Sequence, residues 1–198
     1  MKSTLAFLTL AVLSSLALAQ TTPKVDGVIS PGEYEHSITS KIGVELYWTL
    51  KGDLLYIGLK SPGKGWVGIG FETVDQHSET GGMGMGDKHP AMHGSDLILG
   101  YVKDGRTVVD EYHGAVAGQP QPYSTMGSKA NILQAAGSET PEGTTLEVVR
   151  RLNMGNPMHV NLQNMVGRKV GIMLAYSDQK AFVYHGPTNR IALEITLK

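Results

Sequence analysis

The sequence predicts an all-β chain folded as an antiparallel β-sandwich of the immunoglobulin-like kind, and three observations carry that reading. Apolar and polar residues alternate with a period of two along most of the chain after residue 20. Glycine-rich turn signals interrupt the alternation at short intervals, and helical periodicity is nearly absent. Glycine, at 25 of 198 residues, stands well above its usual share of roughly 7%, as many turns and tight strand crossings would require.

The first segment is expected to lie outside the fold. Lys2 supplies a positive start, Leu5 to Leu18 form an apolar stretch, and Ala17-Leu18-Ala19 ends it with the small-x-small pattern of a signal-peptidase site. The apolar run is shorter than the ~20 residues of a spanning helix. Residues 1–19 therefore read as a signal peptide and 20–198 as a single mature domain, periplasmic or secreted, with no stable membrane span after cleavage.

The strands follow in order. In Val44 to Leu50 the even positions are apolar and face inward. Lys51-Gly52-Asp53 breaks the pattern, Leu54 to Lys60 resumes it, and Ser61 to Gly65 turns into Trp66–Phe71. Asp96–Val102 and Thr107–Tyr112 flank the hairpin loop Lys103-Asp104-Gly105-Arg106. Thr144–Arg151, Val170–Ser177 and the clear alternation Ile191, Leu193, Ile195, Leu197 complete a set of eight to ten strands. Only Asn153 to Met165 leaves room for a helical turn, limited by Pro157. Two connections, 73–94 and 113–128, exceed the ~12–15 residues of ordinary loops, a length often tied to function.

Composition excludes several functions. Seventeen basic residues against 18 acidic ones leave a net charge of −1, so nothing is present to hold a phosphate backbone, and nucleic acid is not an expected partner. Cysteine is absent, which excludes disulfides, thiolate metal sites and thioether-linked haem. No nucleophile elbow and no HExxH is present, so an enzyme is not expected. His113, beside Glu111, reads as a solvated residue or a supporting contact, and His36 and His159 have no evident partner.

The loop 77–93 is rich in soft and imidazole ligands: His77, His89 and His93 with Met83, Met85 and Met92. Thioether and imidazole donors suit copper or haem iron rather than hard cations. Met92 stands just before Gly94-Ser95-Asp96 and a strand, which anchors it. His185 has the matching position between Phe182-Val183-Tyr184 and the final strand.

Gly65 to Phe71, then Met92-His93-Gly94-Ser95-Asp96 opening a strand, then Val109-Asp110-Glu111-Tyr112, then Gly143 to Leu152, and finally a histidine ahead of the last strand, resemble the DOMON domain. DOMON domains include the cytochrome domain of cellobiose dehydrogenase and relatives of the haem subunit of ethylbenzene dehydrogenase. Val25 to Tyr34 is similar to the start of related bacterial haem and carbohydrate-binding sandwiches, so the likeness spans about 24–198.

The resemblance implies a DOMON-type sandwich holding one non-covalent haem b between a methionine and a histidine, here Met92 and His185, with Lys180 as a substitute for the histidine. Walls are expected from Trp66, Phe71, Ile98 and Tyr101, and propionate partners from Tyr184, Arg190 and Lys180. Two protein ligands leave no open position on iron, which favours electron transfer, with an exported oxidoreductase or a membrane cytochrome as redox partner. Since both ligands precede a strand, one iron is expected to require strands 96–102 and 189–197 to start at the same end of the sandwich. Two alternatives stand beside this: a haem-free sugar-binding module using Trp48, Trp66 and tyrosines, and a copper-binding protein using the loop 77–93.

Overall fold

The computed structural model describes residues 22–72, 92–114 and 119–198. Eleven strands lie among them: β1 His36–Thr39, β2 Glu45–Lys51, β3 Leu54–Ser61, β4 Val67–Phe71, β5 Asp96–Lys103, β6 Arg106–His113, β7 Gln121–Pro122, β8 Gln134–Thr140, β9 Gly143–Arg151, β10 Lys169–Tyr176 and β11 Arg190–Thr196. Every strand pair is antiparallel. One sheet runs β1-β2-β3-β9-β8 and the other β11-β10-β4-β5-β6-β7. The β-sandwich expected from alternation is the observed fold.

The core between the sheets is built from one parity of each strand. Leu46 and Trp48 of β2, Leu55, Ile57 and Leu59 of β3, and Leu146 and Val148 of β9 meet Val67, Ile69 and Phe71 of β4, Ile98 of β5, and Ile172 and Leu174 of β10. Burying each such side chain is worth ~1.5–3 kcal/mol, which outweighs the weak propensity of single short strands. The β5–β6 hairpin closes through Asp104 and Gly105, both at positive φ (52° and 70°), the backbone of a type I′ turn whose twist matches the strands. Asn153–Met165 does hold a turn of 3₁₀ helix, Leu162–Met165, with the Asn161 side chain accepting from Gln163 N–H at 3.1 Å.

Each sheet has an outer face, and each is covered by a different non-repetitive segment. Over the five-stranded sheet lies the segment 22–35. Gly58 of β3 has no side chain, and Ile29 and Tyr34 sit in the space a Cβ would take. Beside them, Glu147 of β9 is fully buried. It accepts from Gly27 N–H (2.7 Å), Asp26 N–H (3.1 Å) and Tyr34 Oη (2.8 Å). Three donors satisfy a carboxylate that the covering segment has removed from water. Over the six-stranded sheet, the covering segment is the connection 177–189.

Candidate functional site

The outer face of the six-stranded sheet is apolar in its middle, where two of its residues are glycines. Two rungs cross it: Arg190, Ala175, Gly68, Leu99 and Asp110, and then Ala192, Met173, Gly70, Leu97 and Tyr112. Gly68 and Gly70 of β4 form a floor without side chains. A Cβ on Gly68 would fall 2.8 Å from Ile98 O, and one on Gly70 would fall 2.6 Å from Leu97 Cδ2 and 2.9 Å from Met173 Cε. Only glycine lets Leu97 and Met173 lean together there. Trp66, which immediately precedes β4 and is 2% exposed, closes one end of this floor.

Met92 stands at the other end. Its carbonyl accepts from Ser95 N–H at 3.1 Å, Gly94 N–H donates to Gly114 O at 2.7 Å, and Gly114 N–H donates to Ser95 O at 2.9 Å. A Cβ on Gly114 would lie 1.5 Å from Met92 O, so glycine at 114 is what allows the turn carrying Met92 to sit against the end of β6. The start of β5 thus fixes the Met92 backbone, as its place in the sequence suggested.

His185 lies at the Trp66 end. The connection 177–189 folds back over the outer face and is pinned at three points. Phe182 wedges between Tyr101 and Tyr112, with ring centroids at 5.2 and 5.3 Å. Trp66 Nε1–H donates to Val183 O at 3.1 Å, and the His185 ring stands edge-on to Trp66 at 6.2 Å. His185 Nδ1 is 2.5 Å from Gly186 O; the contact makes Nδ1 the protonated nitrogen and leaves Nε2 as the free lone pair. Burial, opposed by the Gly186 carbonyl, holds the imidazole pKa below its ordinary value, which keeps that lone pair available at neutral pH.

The geometric condition drawn from the sequence is corrected. Three antiparallel steps separate β11 from β5 through β10 and β4, so the two strands run in opposite directions and start at opposite ends of the sheet. Met92 is at the Phe71–Asp96 end and His185 at the Trp66–Arg190 end. The same-end condition is not met: an odd number of antiparallel steps puts the two strand starts at opposite ends, and only the 177–189 connection is seen to lie over the face, carrying His185 against Trp66.

Other expected positions divide. Trp66 and Tyr101 are on the outer face, and so is Arg190, which opens β11 opposite Ala175. Tyr184 is 62% exposed and packs on His185 at 4.6 Å. Phe71 and Ile98 do not line this face: both point into the core between the sheets, 1% and 0% exposed. They share parity with Val67 and Ile69, not with Gly68 and Gly70. Lys180 pairs with Glu139 at 2.8 Å. Both tryptophans expected of a sugar-binding module are buried, so neither can stack on a sugar ring. Of the copper candidates in the loop 77–93, His77, Met83, Met85 and His89 lie outside the described residues, whereas Met92 and His93 lie within them.

Behind the outer face, inside the sandwich, is a charged cluster that sequence reasoning missed. Arg150 of β9 is 0% exposed. Its Nη2–H donates to Asp96 Oδ2 at 2.7 Å, its Nη1 is 3.5 Å from Glu111 Oε1, and its guanidinium lies 5.1 Å over the Phe71 ring. Asp96 also accepts from Val160 N–H at 3.0 Å and from Tyr123 Oη. Tyr123 stacks on His159 at 3.8 Å, and its hydroxyl meets His113 Nδ1 at 3.2 Å. His113 and His159 therefore both have partners, His159 also reaching Ser128 Oγ at 3.2 Å.

Burial pushes the Asp96 carboxyl up, but His159, Arg150 and Tyr123 outweigh it and hold the group below its usual value. Burial dominates at Glu111 and raises it. Asp96, Glu111 and His159 have the donor types of a metal site and lie close together, but Asp96 Oδ2 already accepts from Arg150 and Val160, and the guanidinium fills the place of a cation.

The DOMON domain family matches residues 41–176, more than half of the chain and all of β2 to β10. The chain is a DOMON domain protein. The match includes Met92 and the buried cluster and ends before the connection that carries His185. No curated protein matches the chain. Among solved structures, the domain is similar to the cytochrome domain of Myriococcum thermophilum cellobiose dehydrogenase, with 12% identity over 83% of this chain and 79% of that one and a TM-score of 0.49. It is also similar to the cytochrome b domain of pyranose dehydrogenase from Coprinopsis cinerea, with 12% identity over 80% of each chain and a TM-score of 0.46. No helix among the described residues of this DOMON domain is long and apolar enough to cross a membrane.

Proposed function

We propose that this DOMON domain is an exported electron-transfer protein, not an enzyme, that holds one haem b on the outer face of its six-stranded sheet with Met92 and His185 as axial ligands. The observation that carries the reading is the glycine floor of β4 between a turn bearing a thioether and a strap bearing an imidazole. Residues without side chains at the centre of an apolar face, Gly68 and Gly70 among Leu97, Leu99, Met173 and Ala175, suit a flat apolar macrocycle.

The donor set fits the group. One soft sulfur and one imidazole with a free Nε2 arise from opposite ends, and the chain has no cysteine for a covalent link. When bound, the haem supplies one-electron cycling of its iron. The chain's part is to exclude water with Leu97, Tyr101, Phe182 and Trp66, to orient the imidazole through the Gly186 carbonyl, and to offer Arg190 to propionate charge. With Met92 and His185 both holding it, the haem would offer no position to a substrate, and its redox partner would be another protein: an exported oxidoreductase or a membrane cytochrome.

Titrating haem into the recombinant mature chain tests the reading. The expected result is one equivalent bound, with sharp bands of a six-coordinate low-spin haem on reduction. His185→Ala and Met92→Ala should each convert the spectrum to a high-spin form or abolish binding. Stoichiometric binding that ignores both substitutions would place the haem elsewhere, and no binding at all would overturn the proposal.

A further inference from the structure

The cluster under the outer face contains three buried polar atoms without a hydrogen-bond partner: Glu111 Oε1, Arg150 Nη1 and His159 Nδ1. Arg150 Nη1 is 3.5 Å from Glu111 Oε1, and His159 Nδ1 is 3.5 Å from Glu111 Oε2, an oxygen that also accepts from Asn131 N–H. The His159 side chain is 1% exposed and those of Glu111 and Arg150 are 0% exposed. Unpaired atoms this deep are costly unless a proton is present to join them.

Charge counting says how many protons. Arg150 carries one positive charge and Asp96 one negative charge, and these offset each other. The remaining pair, Glu111 and His159, is neutral when it holds one proton, either as a carboxylic acid beside imidazole or as carboxylate beside imidazolium. With no proton, the cluster buries a net charge of −1; with two, a net charge of +1. Both are opposed by desolvation. Of the other groups facing His159, Asp96, whose Oδ2 is 3.8 Å from Nδ1, is already in this count; Tyr123 stacks on the ring, His113 meets the Tyr123 hydroxyl, and Ser128 meets Nε2.

We propose that His159 and Glu111 share a single proton, and that the cluster is a proton-binding site coupling the fold behind the Met92 turn to external acidity. The elements it ties together are β5 at Asp96, β6 at Glu111, β9 at Arg150, the Tyr123 turn and the segment at His159–Val160. The site is independent of haem, so its test uses the haem-free chain.

The sign follows from linkage. From about pH 7.5 upward an unfolded histidine (ordinary value near 6.5) and an unfolded glutamate (near 4.3) hold almost no proton, while the proposed folded pair holds one. Folding then takes up a proton, and stability falls as pH rises. The folding equilibrium constant is expected to drop by up to about tenfold per pH unit between pH 7.5 and 8.5 while the folded pair keeps its proton, a window above ordinary histidine titration and below that of tyrosine and lysine. In Glu111→Gln the folded cluster is neutral with His159 unprotonated, so the proton uptake disappears and the curve flattens.

Urea unfolding of the haem-free chain at several pH values in that window reads both. A flat wild-type curve, or an equal slope in wild type and Glu111→Gln, overturns the proposal. Should Glu111→Gln fail to fold, ring-nitrogen and carboxyl-carbon NMR of the wild-type chain at pH 8 decides. One proton on the pair supports the proposal; a bare carboxylate beside a neutral imidazole overturns it.

Discussion

Replacing Arg150 by methionine is expected to be among the most destabilising single changes in the molecule. Methionine keeps the stem that packs near Phe71 but removes the guanidinium that donates to Asp96 at 2.7 Å and stands 3.5 Å from Glu111. Asp96, 0% exposed, is left with Tyr123 and Val160 N–H as its hydrogen-bond donors and with an uncompensated charge. Breaking a fully buried pair by deleting one partner costs ~3–5 kcal/mol, because the other charge stays in the core. For a domain of this size, that corresponds to a fall in Tm on the order of 6–20 °C. Urea unfolding and thermal unfolding at pH 7, followed by circular dichroism, measure it. The double variant Arg150→Met/Asp96→Leu removes both charges and should recover much of the loss. A single variant within ~1 kcal/mol of wild type would mean that water reaches the cluster, and the reasoning about its charges would fail.

Other consequences are open to direct measurement. Tyr34→Phe deletes one of three donors to the buried Glu147 carboxylate and should cost ~1.5–3 kcal/mol in urea unfolding; no change would mean that the segment 22–35 does not seal that face. Gly70→Val fills the floor between Leu97 and Met173 and should reduce haem retention at least tenfold, at a stability cost of ~1–3 kcal/mol; unaltered retention would remove β4 from the site. Asp96 is held below its ordinary value of 3.8, so its contribution to stability is present above that pH and is lost as pH falls through the depressed folded value. Acid unfolding monitored by circular dichroism should therefore be less steep in Asp96→Asn than in wild type.

The sheets were legible in the sequence wherever one face is buried and the other is not. Val44 to Leu50 and Leu54 to Lys60 alternate because their even and odd positions see different surroundings, and the observed strands agree to within a residue. The strands that escaped notice lack that contrast. β1, His-Ser-Ile-Thr, has no buried residue, and β8, Gln134–Thr140, is an edge strand of small and polar residues that are all partly exposed.

The candidate site was legible in its donors and not in its walls. Met92 and His185 stand out because each precedes a strand, whereas the face on which Phe71 and Ile98 fall is hidden. All five residues of β4 are buried, since a second sheet covers one side and the 177–189 connection lies over the other, and alternation then carries no inside–outside signal. The buried cluster left a signal that could have been used. Arg150 continues the parity of Leu146 and Val148, and Asp96 that of Ile98. A charge on the core parity of a strand calls for a partner, although only the fold could join residues 96, 111, 150 and 159.

The most direct measurement for the electron-carrier account is the near-infrared magnetic circular dichroism of the oxidised, haem-loaded domain, which reports the ligand pair on iron itself. The expected result is a low-spin thioether–imidazole signature that disappears in Met92→Leu and His185→Gln, while circular dichroism shows the sandwich intact. A bis-imidazole or five-coordinate signature in the wild-type domain, or a thioether signature that survives Met92→Leu, would contradict it.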